Sequence, residues 1–329
     1  MNPATMIESE VVIVGGGPAG STCAWQLHQH GISTIVLDKA RFPRDKLCAG
    51  WITPRVVSQL KLEEDRYPHS LKKFSRIEFS FFGKKLPLRT KQYAIRRIEF
   101  DDWLLKRSGV AVHHHHVNGI TEQAGGFVID GKFRCRYLVG AGGTNCPVYR
   151  TLFKPFLPRT SERLIVTLEK EFPSQCADQA CRLWFFENRL PGYSWFVPKG
   201  NGYVNVGIGA KYSSLHARGE NIRDHWRTFV NKLSGCSLVD MHNIAPRGYA
   251  YYLRQPHMVG RKGNVFLTGD SAGLASLDMG EGIGPAVESG LMAARSIITG
   301  QPYRPEKIRR FSAVDILLPN LKNRQVPRV

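Results

Sequence analysis

Residues 10–38 constrain this chain more than any other stretch, because strand, glycine turn, helix and second strand follow one another without a gap. Glu10-Val11-Val12-Ile13-Val14 is a short β-branched run of the kind that forms a parallel strand buried on both faces. Gly15, Gly17 and Gly20 then fall at the G-x-G-x-x-G spacing. Residues 21–30 are expected as a helix with Ala24 and Leu27 turned to the sheet, and residues 32–37 as a second strand ending at Asp38. Gly15 permits a tight turn, Gly17 lets the backbone approach a pyrophosphate, and Gly20 allows helix and strand to pack closely. The helix N-terminus adds amide donors and a positive dipole end. Asp38 stands where a carboxylate accepts hydrogen bonds from an adenosine ribose. The unit predicts a dinucleotide site and leaves open which dinucleotide.

The rest of the chain bounds the class. A length of 329 residues has room for two lobes around a cofactor. Hydrophobic content of 42% beside 22% charged residues is ordinary for a soluble enzyme, and no low-complexity tract or repeat stands out. No apolar stretch reaches the roughly 20 residues that span a bilayer. The first residues lack the pattern of a secretory signal. Seven cysteines, an odd number at irregular spacing, fit reduced thiols in a cytoplasm better than a disulfide framework. The unusual number is a net charge of +19, from 46 basic and 27 acidic residues. Such a field favours nucleotides, nucleic acid or an acidic membrane surface. The basic residues are scattered, with mild concentrations at residues 304–310 and 322–328, and no nucleic-acid module accompanies them. Nucleic acid is therefore set aside, and peripheral contact with an anionic membrane is retained.

Three later segments narrow the cofactor. Ile95-Arg96-Arg97-Ile98-Glu99-Phe100-Asp101-Asp102-Trp103-Leu104 resembles the R-x-x-F-D-x-x-L element of flavoprotein monooxygenases and geranylgeranyl reductases. Tyr137-Leu138-Val139-Gly140-Ala141-Gly142-Gly143-Thr144-Asn145 is similar to their GADGxxS strand and turn. Thr268-Gly269-Asp270-Ser271 resembles their late GD motif, and Gly280-Glu281-Gly282-Ile283-Gly284 then opens a helix as it does there. The order holds over most of residues 10–300, so the chain resembles the p-hydroxybenzoate-hydroxylase-type FAD superfamily. Two features are similar to its geranylgeranyl reductase branch. Pro43-Arg44-Asp45-Lys46-Leu47-Cys48-Ala49-Gly50 matches P-x-x-K-x-C-x-G, and Tyr193-Ser194-Trp195-Phe196-Val197-Pro198 resembles Y-x-W-x-F-P.

That resemblance implies FAD held by Gly15, Gly17, Gly20, Asp38, Arg97 and Asp270, with Pro18, Ala19 and Lys39 beside them. It also brings Lys46, Cys48 and Ala49, Val117, and Gly142 and Gly269 to the cofactor. Gly280, Gly282 and Ile283 would face the flavin pyrimidine edge at a helix N-terminus, where amides stabilise the negative charge of reduced flavin. Three departures stand out. Gly142 replaces the family's aspartate, Asp38 replaces the commoner glutamate, and the stretch after Gly280 is brief beside the lipid-covering region of long archaeal lipid reductases.

The implied fold is α/β: a Rossmann-like FAD domain interleaved with a smaller α+β substrate domain built on an antiparallel sheet. Residues 1–70, 92–155 and 246–300 would form the first, residues 71–91 and 156–245 the second, and residues 301–329 a basic C-terminal segment. The pattern of residues agrees. Ile77, Phe79 and Phe81 alternate with polar residues, and β-branched or aromatic runs follow at 164–168, 182–186, 193–197 and 203–208. Residues 222–233 read as an amphipathic helix with Trp226 and Phe229 inward. The sheet is expected to roof the flavin ring.

Within that frame Cys48 either tunes the flavin or touches substrate, or is a small buried thiol. Lys46 brings a positive charge to the cofactor or is solvated. Alternation places Tyr193 and Trp195 on one face and Phe196 on the other, lining an apolar slot or forming ordinary sheet core. His113-His114-His115-His116 lies in an expected strand at 110–117, where neighbours point to opposite faces, and no metal is expected. Cys176 and Cys181 lack a partner pair.

The leading expectation is an FAD-dependent oxidoreductase that reduces C=C bonds of an isoprenoid or other apolar lipid substrate, with the proton coming from solvent or a nearby acid. There is one nucleotide fingerprint, so NAD(P)H as donor would bind transiently without a Rossmann domain of its own. The alternative is a monooxygenase hydroxylating an aromatic or polyketide compound with NAD(P)H and O2. A halogenase is disfavoured because the loop after the second strand lacks the basic motif those enzymes use. A flavin-binding protein without turnover is the third class.

Overall fold

The β-branched run at residues 11–14 lies at the centre of a parallel sheet. The structure, a computed structural model, describes residues 6–174, 180–236, 238 and 245–308. Strand Ile7–Val14 pairs in parallel with Thr34–Asp38 on one side and Phe133–Gly140 on the other. Ala111–His114 and Val265–Leu267 extend the parallel order outward. Val11 and Ile13 meet helices Pro18–His28, Arg97–Arg107 and Ile283–Thr299, while Val12 and Val14 face a second core with Val148 and Phe153. Burial on both faces is why the run needs no polar alternation. The first helix starts at Pro18, three residues earlier than expected, because proline fixes φ and its missing N–H is no loss in the first turn. Helix Ile283–Thr299 packs against it so closely that a Cβ at Gly290 would overlap the Ala19 carbonyl.

The second sheet has eight strands among the described residues, in the order 247–252, 164–173, 203–211, 192–198, 181–185, 72–81, 84–94, 51–52. Alternation sorts its faces. Leu168, Phe196, Val206 and Ile208 pack outward under helix Ile222–Gly235, which buries Trp226, Phe229 and Leu233. Trp195, Phe185, Phe79 and Ile77 lie on the inner face.

Sequence and structure differ in three places. The sheet is antiparallel except at one joint, where Cys181–Phe185 runs parallel to Ile77–Phe81. These strands are far apart in the chain, so no hairpin dictates their sense. The expected return to the first sheet at residue 246 comes later, because Arg247–Tyr252 pairs with Leu164–Glu169 and only Arg261–Lys262 joins the first sheet. Likewise Trp51–Ile52 and Tyr93–Ala94 pair within the second sheet. The strand expected at 110–117 stops at His114, where His115 turns to Asp130 at 2.7 Å. Cys176 and residues 309–329, including the basic cluster at 322–328, lie outside the described residues.

Candidate active site

One cavity of about 1250 Å³ lies between the two sheets. Every candidate cofactor or substrate residue named above except Gly20 and Phe196 lines it, and Phe196 packs outward instead. Gly20 instead packs against the turn, where a Cβ would overlap the Gly15 carbonyl oxygen.

At the glycine turn Gly15 has φ 113°, a conformation that favours glycine. The helix that follows begins at Gly17 with no side-chain cap, leaving its first amides directed at the cavity edge. Asp38 closes the turn from the next strand, accepting from the Gly16 amide at 2.7 Å and the Ala40 amide at 2.8 Å. A Cβ at Gly17 would meet only Arg44 Nη2, at 3.3 Å. Room in front of uncapped amides, beside a fixed carboxylate, fits the pyrophosphate and ribose of FAD. Gly142 also has a structural reason: a side chain there would press on the Cys146 backbone, 3.3 Å from its Cβ. Val117 and Lys39 complete the wall at this end.

The Arg97 guanidinium is buried and bidentate to Asp101, with both bonds at 2.7 Å. Arg44 approaches the same carboxylate at 3.2 Å. Burial works against the Arg97 charge, and Asp101 more than offsets it, so the group stays charged above its ordinary range. Across the cavity Asp270 accepts from Tyr249 at 3.3 Å, and Arg159 holds the Asp270 and Ser271 carbonyls.

The loop with Cys48 is tied to the roof. Trp195 Nε1 donates to Asn205 at 2.7 Å, and the Asn205 amide donates to the Cys48 carbonyl at 3.4 Å. Lys199 donates to the Ala49 and Ile95 carbonyls. Tyr193 donates to the Met279 carbonyl at 2.6 Å, pinning the roof to the loop that leads to Gly280 and Gly282. Lys46 sits over the Tyr249 ring, 3.0 Å from its centroid. Burial and the Arg97 charge pull its ammonium down to about 8, against Asp270, Cys48 and Glu169.

One carboxyl in the cavity escapes a reading of motifs, and a second, Glu281, stands inside a motif that gave it no role. Glu169 lies on the inner face, 2% exposed, and its Oε1 has no hydrogen-bond partner among the described residues. Trp195 and Glu169 flank Gly207 in adjacent strands. A Cβ at Gly207 would clash with the Trp195 ring and stand 2.8 Å from the Glu169 Cβ, so glycine lets the indole lie flat beside the acid. Burial pushes the Glu169 carboxyl up to about 7, against the pull of Lys46 and Lys199. The available signal was a pair of glutamates at alternate positions of one strand, of which Glu171 is paired with Arg96 at 2.8 Å and Glu169, among the described residues, is not. Glu281 is likewise pushed up to about 7 by burial, and it accepts from the Gly284 amide at 2.5 Å. Part of the helix terminus that the resemblance assigns to flavin therefore already has an acceptor. The histidine run is dispersed: His114 contacts the Lys39 carbonyl and His115 pairs with Asp130. Among the described residues, no cluster could hold a metal.

Gly17→Ala and Gly20→Ala separate cradle from scaffold. Gly17→Ala is expected to leave the thermal midpoint of the apoprotein unchanged while weakening FAD binding about tenfold or more. Gly20→Ala is expected to lower both. Equal FAD affinity in Gly17→Ala and the parent protein, by fluorescence titration, would remove Gly17 from the cradle.

Comparison with known proteins agrees with this geometry. Residues 8–62 match the FAD binding domain model. An uncharacterised protein of Methanosarcina barkeri is 32% identical, with 89% of this chain and 75% of that one aligned. Menaquinone reductase of Mycobacterium tuberculosis is 30% identical, covering 87% and 76%. Geranylgeranyl diphosphate reductase of Rhodobacter capsulatus is 25% identical, covering 87% and 74%. Among solved structures, a geranylgeranyl bacteriochlorophyll reductase-like protein of Thermoplasma acidophilum superimposes with a TM-score of 0.77 at 21% identity, over 92% of this chain and 81% of that one. The flavin-dependent halogenase CmlS shares the fold at a TM-score of 0.69 and 20% identity, over 90% and 60%. The chain belongs to the geranylgeranyl reductase-like branch of the p-hydroxybenzoate-hydroxylase-type flavoproteins, and it is an FAD-dependent oxidoreductase.

Proposed function

We propose that this enzyme reduces C=C bonds of an isoprenoid or similarly apolar substrate. One observation supports the reading above others: the cavity joins an FAD cradle to an aromatic slot that ends at a buried acid. Phe81, Phe185, Tyr193 and Trp195 follow one another with ring centroids 4.8, 5.0 and 5.7 Å apart. Glu169 lies beside Trp195 at the inner end. Relatives named as reductases of geranylgeranyl diphosphate and menaquinone agree with such a substrate.

FAD, when bound and reduced, supplies the hydride and is oxidised. The chain itself orients the alkene, excludes water and manages the proton. Tyr193 and Trp195 are fixed by their bonds to Met279 and Asn205, so the slot walls need little reorganisation. Glu169, as the acid, gives its O–H proton to the alkene carbon that does not take the hydride, and its carboxylate is reprotonated from solvent. Gly15, Gly17, Asp38, Arg97 and Asp270 would hold the cofactor, with NAD(P)H as the donor to try first.

The experiment is anaerobic. Reduced, FAD-loaded protein is mixed with geranylgeranyl lipid and the flavin absorbance is followed. Reoxidation without oxygen, with a saturated product, is expected. Reoxidation only by oxygen, accelerated by an aromatic compound, would replace the reductase reading with a monooxygenase.

A further inference from the structure

The hairpin joining Lys72–Phe81 to Lys84–Ala94 turns through Phe82 and Gly83, at φ 47° and 80°. Turns of this form select asparagine or glycine at the first position, and a phenylalanine there strains the backbone. Phe82 is nevertheless 80% exposed, so folding gains little from its ring. The neighbouring turn repeats the choice: Phe186 has φ 58° and is 47% exposed. The two rings stack on each other with centroids 6.0 Å apart. Phe186 also lines the cavity and contacts Phe185 at 6.2 Å, so the aromatic slot continues to the surface at this corner. Leu86, 45% exposed, shares the inner face of the edge strand with Phe79 opposite it.

The edge strand beside Phe82 is basic, and the carboxylates near the two rings are paired: Glu187 with Lys232, and Glu78 with Arg76 and Arg182. Residues 82–91 include Lys84, Lys85, Arg89 and Lys91, all exposed, and no carboxylate. Over residues 84–91 this strand is a sheet edge, since only its last two residues pair outward. Lysine and Pro87 at an edge also guard against aggregation, but that does not account for two strained, exposed phenylalanines. Cations flanking exposed aromatic side chains match an anionic bilayer, whose headgroups attract the charge while the boundary region takes the rings.

We infer that this corner docks on an anionic membrane, with Phe82 and Phe186 inserted at the headgroup boundary and the slot behind Phe186 open to the lipid. An apolar substrate then passes along Phe186, Phe185 and Tyr193 without crossing water. The inference rests on the apolar-substrate reading above.

The test is sedimentation of the FAD-loaded full chain with vesicles of phosphatidylcholine alone and of phosphatidylcholine mixed equally with phosphatidylglycerol. Binding is expected only to the mixed vesicles and is expected to weaken with salt. Phe82→Ser with Phe186→Ser should lower the partition about tenfold or more. Lys84→Gln with Lys85→Gln should lower it about fivefold per charge. Both variants alter exposed side chains, and unchanged FAD content and thermal midpoint show that they fold. Binding unaffected by the serine pair would overturn the docking site, as would self-association of the parent chain that the serine pair abolishes. Turnover of a short, water-soluble prenyl alcohol is measured alongside. Vesicle binding without that turnover retains the docking surface and sinks the reductase reading; turnover without vesicle binding does the reverse.

Discussion

Glu169→Gln is expected to lower kcat for C=C reduction by about 10²–10⁴-fold, the usual contribution of a positioned general acid, with substrate affinity little changed. Glutamine keeps the volume beside Trp195 and Gly207 and cannot supply a carboxyl proton. In the parent enzyme the acid must be protonated, and its carboxyl is pushed up to about 7. Activity should therefore fall as pH rises through about 7, and the variant should lose that limb. An infrared carboxyl band that titrates in the parent and is absent from the variant gives a readout independent of turnover. The stability slope has a definite sign. Below the ordinary carboxyl value of 4.5 both folded and unfolded chains carry the proton, and Glu169 is neutral to stability. Between there and about 7 the unfolded chain has released a proton that the folded chain keeps, so stability falls as pH rises. Glu281, raised to about 7 in the same way, adds a slope of the same sign that survives in Glu169→Gln. A kcat within threefold of the parent, with the alkaline limb intact, would take the proton role from Glu169.

Asp101→Ala should be strongly destabilising. It strands the Arg97 guanidinium, buried and held by two 2.7 Å bonds to that carboxylate, and removes the partner of Arg44. Leaving one member of a buried pair uncompensated costs about 3–5 kcal/mol. A free Arg97 also loses its aim at the cavity, so FAD content should fall with stability. Arg97→Met combined with Asp101→Leu separates the two effects. Apolar replacement of a buried pair is often near neutral, so the double variant should recover most of the denaturation midpoint while FAD binding stays weak. A loss below about 1 kcal/mol in Asp101→Ala by denaturant titration would mean that Arg97 finds another partner or reaches solvent.

Arg97 and Asp101 were legible as letters of one motif, but their pairing came from the structure, which sets them four apart on one helix face. Glu169 belonged to no motif. Its chemistry depends on burial under the roof, on an indole lying flat over Gly207 and on Lys46 from a distant loop, none of which has a local signal. The same holds for Phe82 and Phe186, which look like ordinary core residues until the two turns are seen to expose and stack them. The second sheet was readable as alternating runs, but its one parallel joint and the late return of Arg247–Tyr252 come from pairings between strands far apart in sequence.

Residues 10–38 by themselves determined a dinucleotide cradle, because turn, close approach and helix terminus are local properties of glycine spacing. Arg97, the late Gly269-Asp270 turn and the helix opening at Gly280 narrowed it to FAD through resemblance, and the loop at 43–50 pointed to the reductase branch. Only the tertiary structure decided what faces that cradle: an aromatic slot, two carboxyls with raised affinity for protons, and a strained corner open to the surface. Burial and cross-strand neighbours set those properties, and they exist only once the second sheet closes over the first.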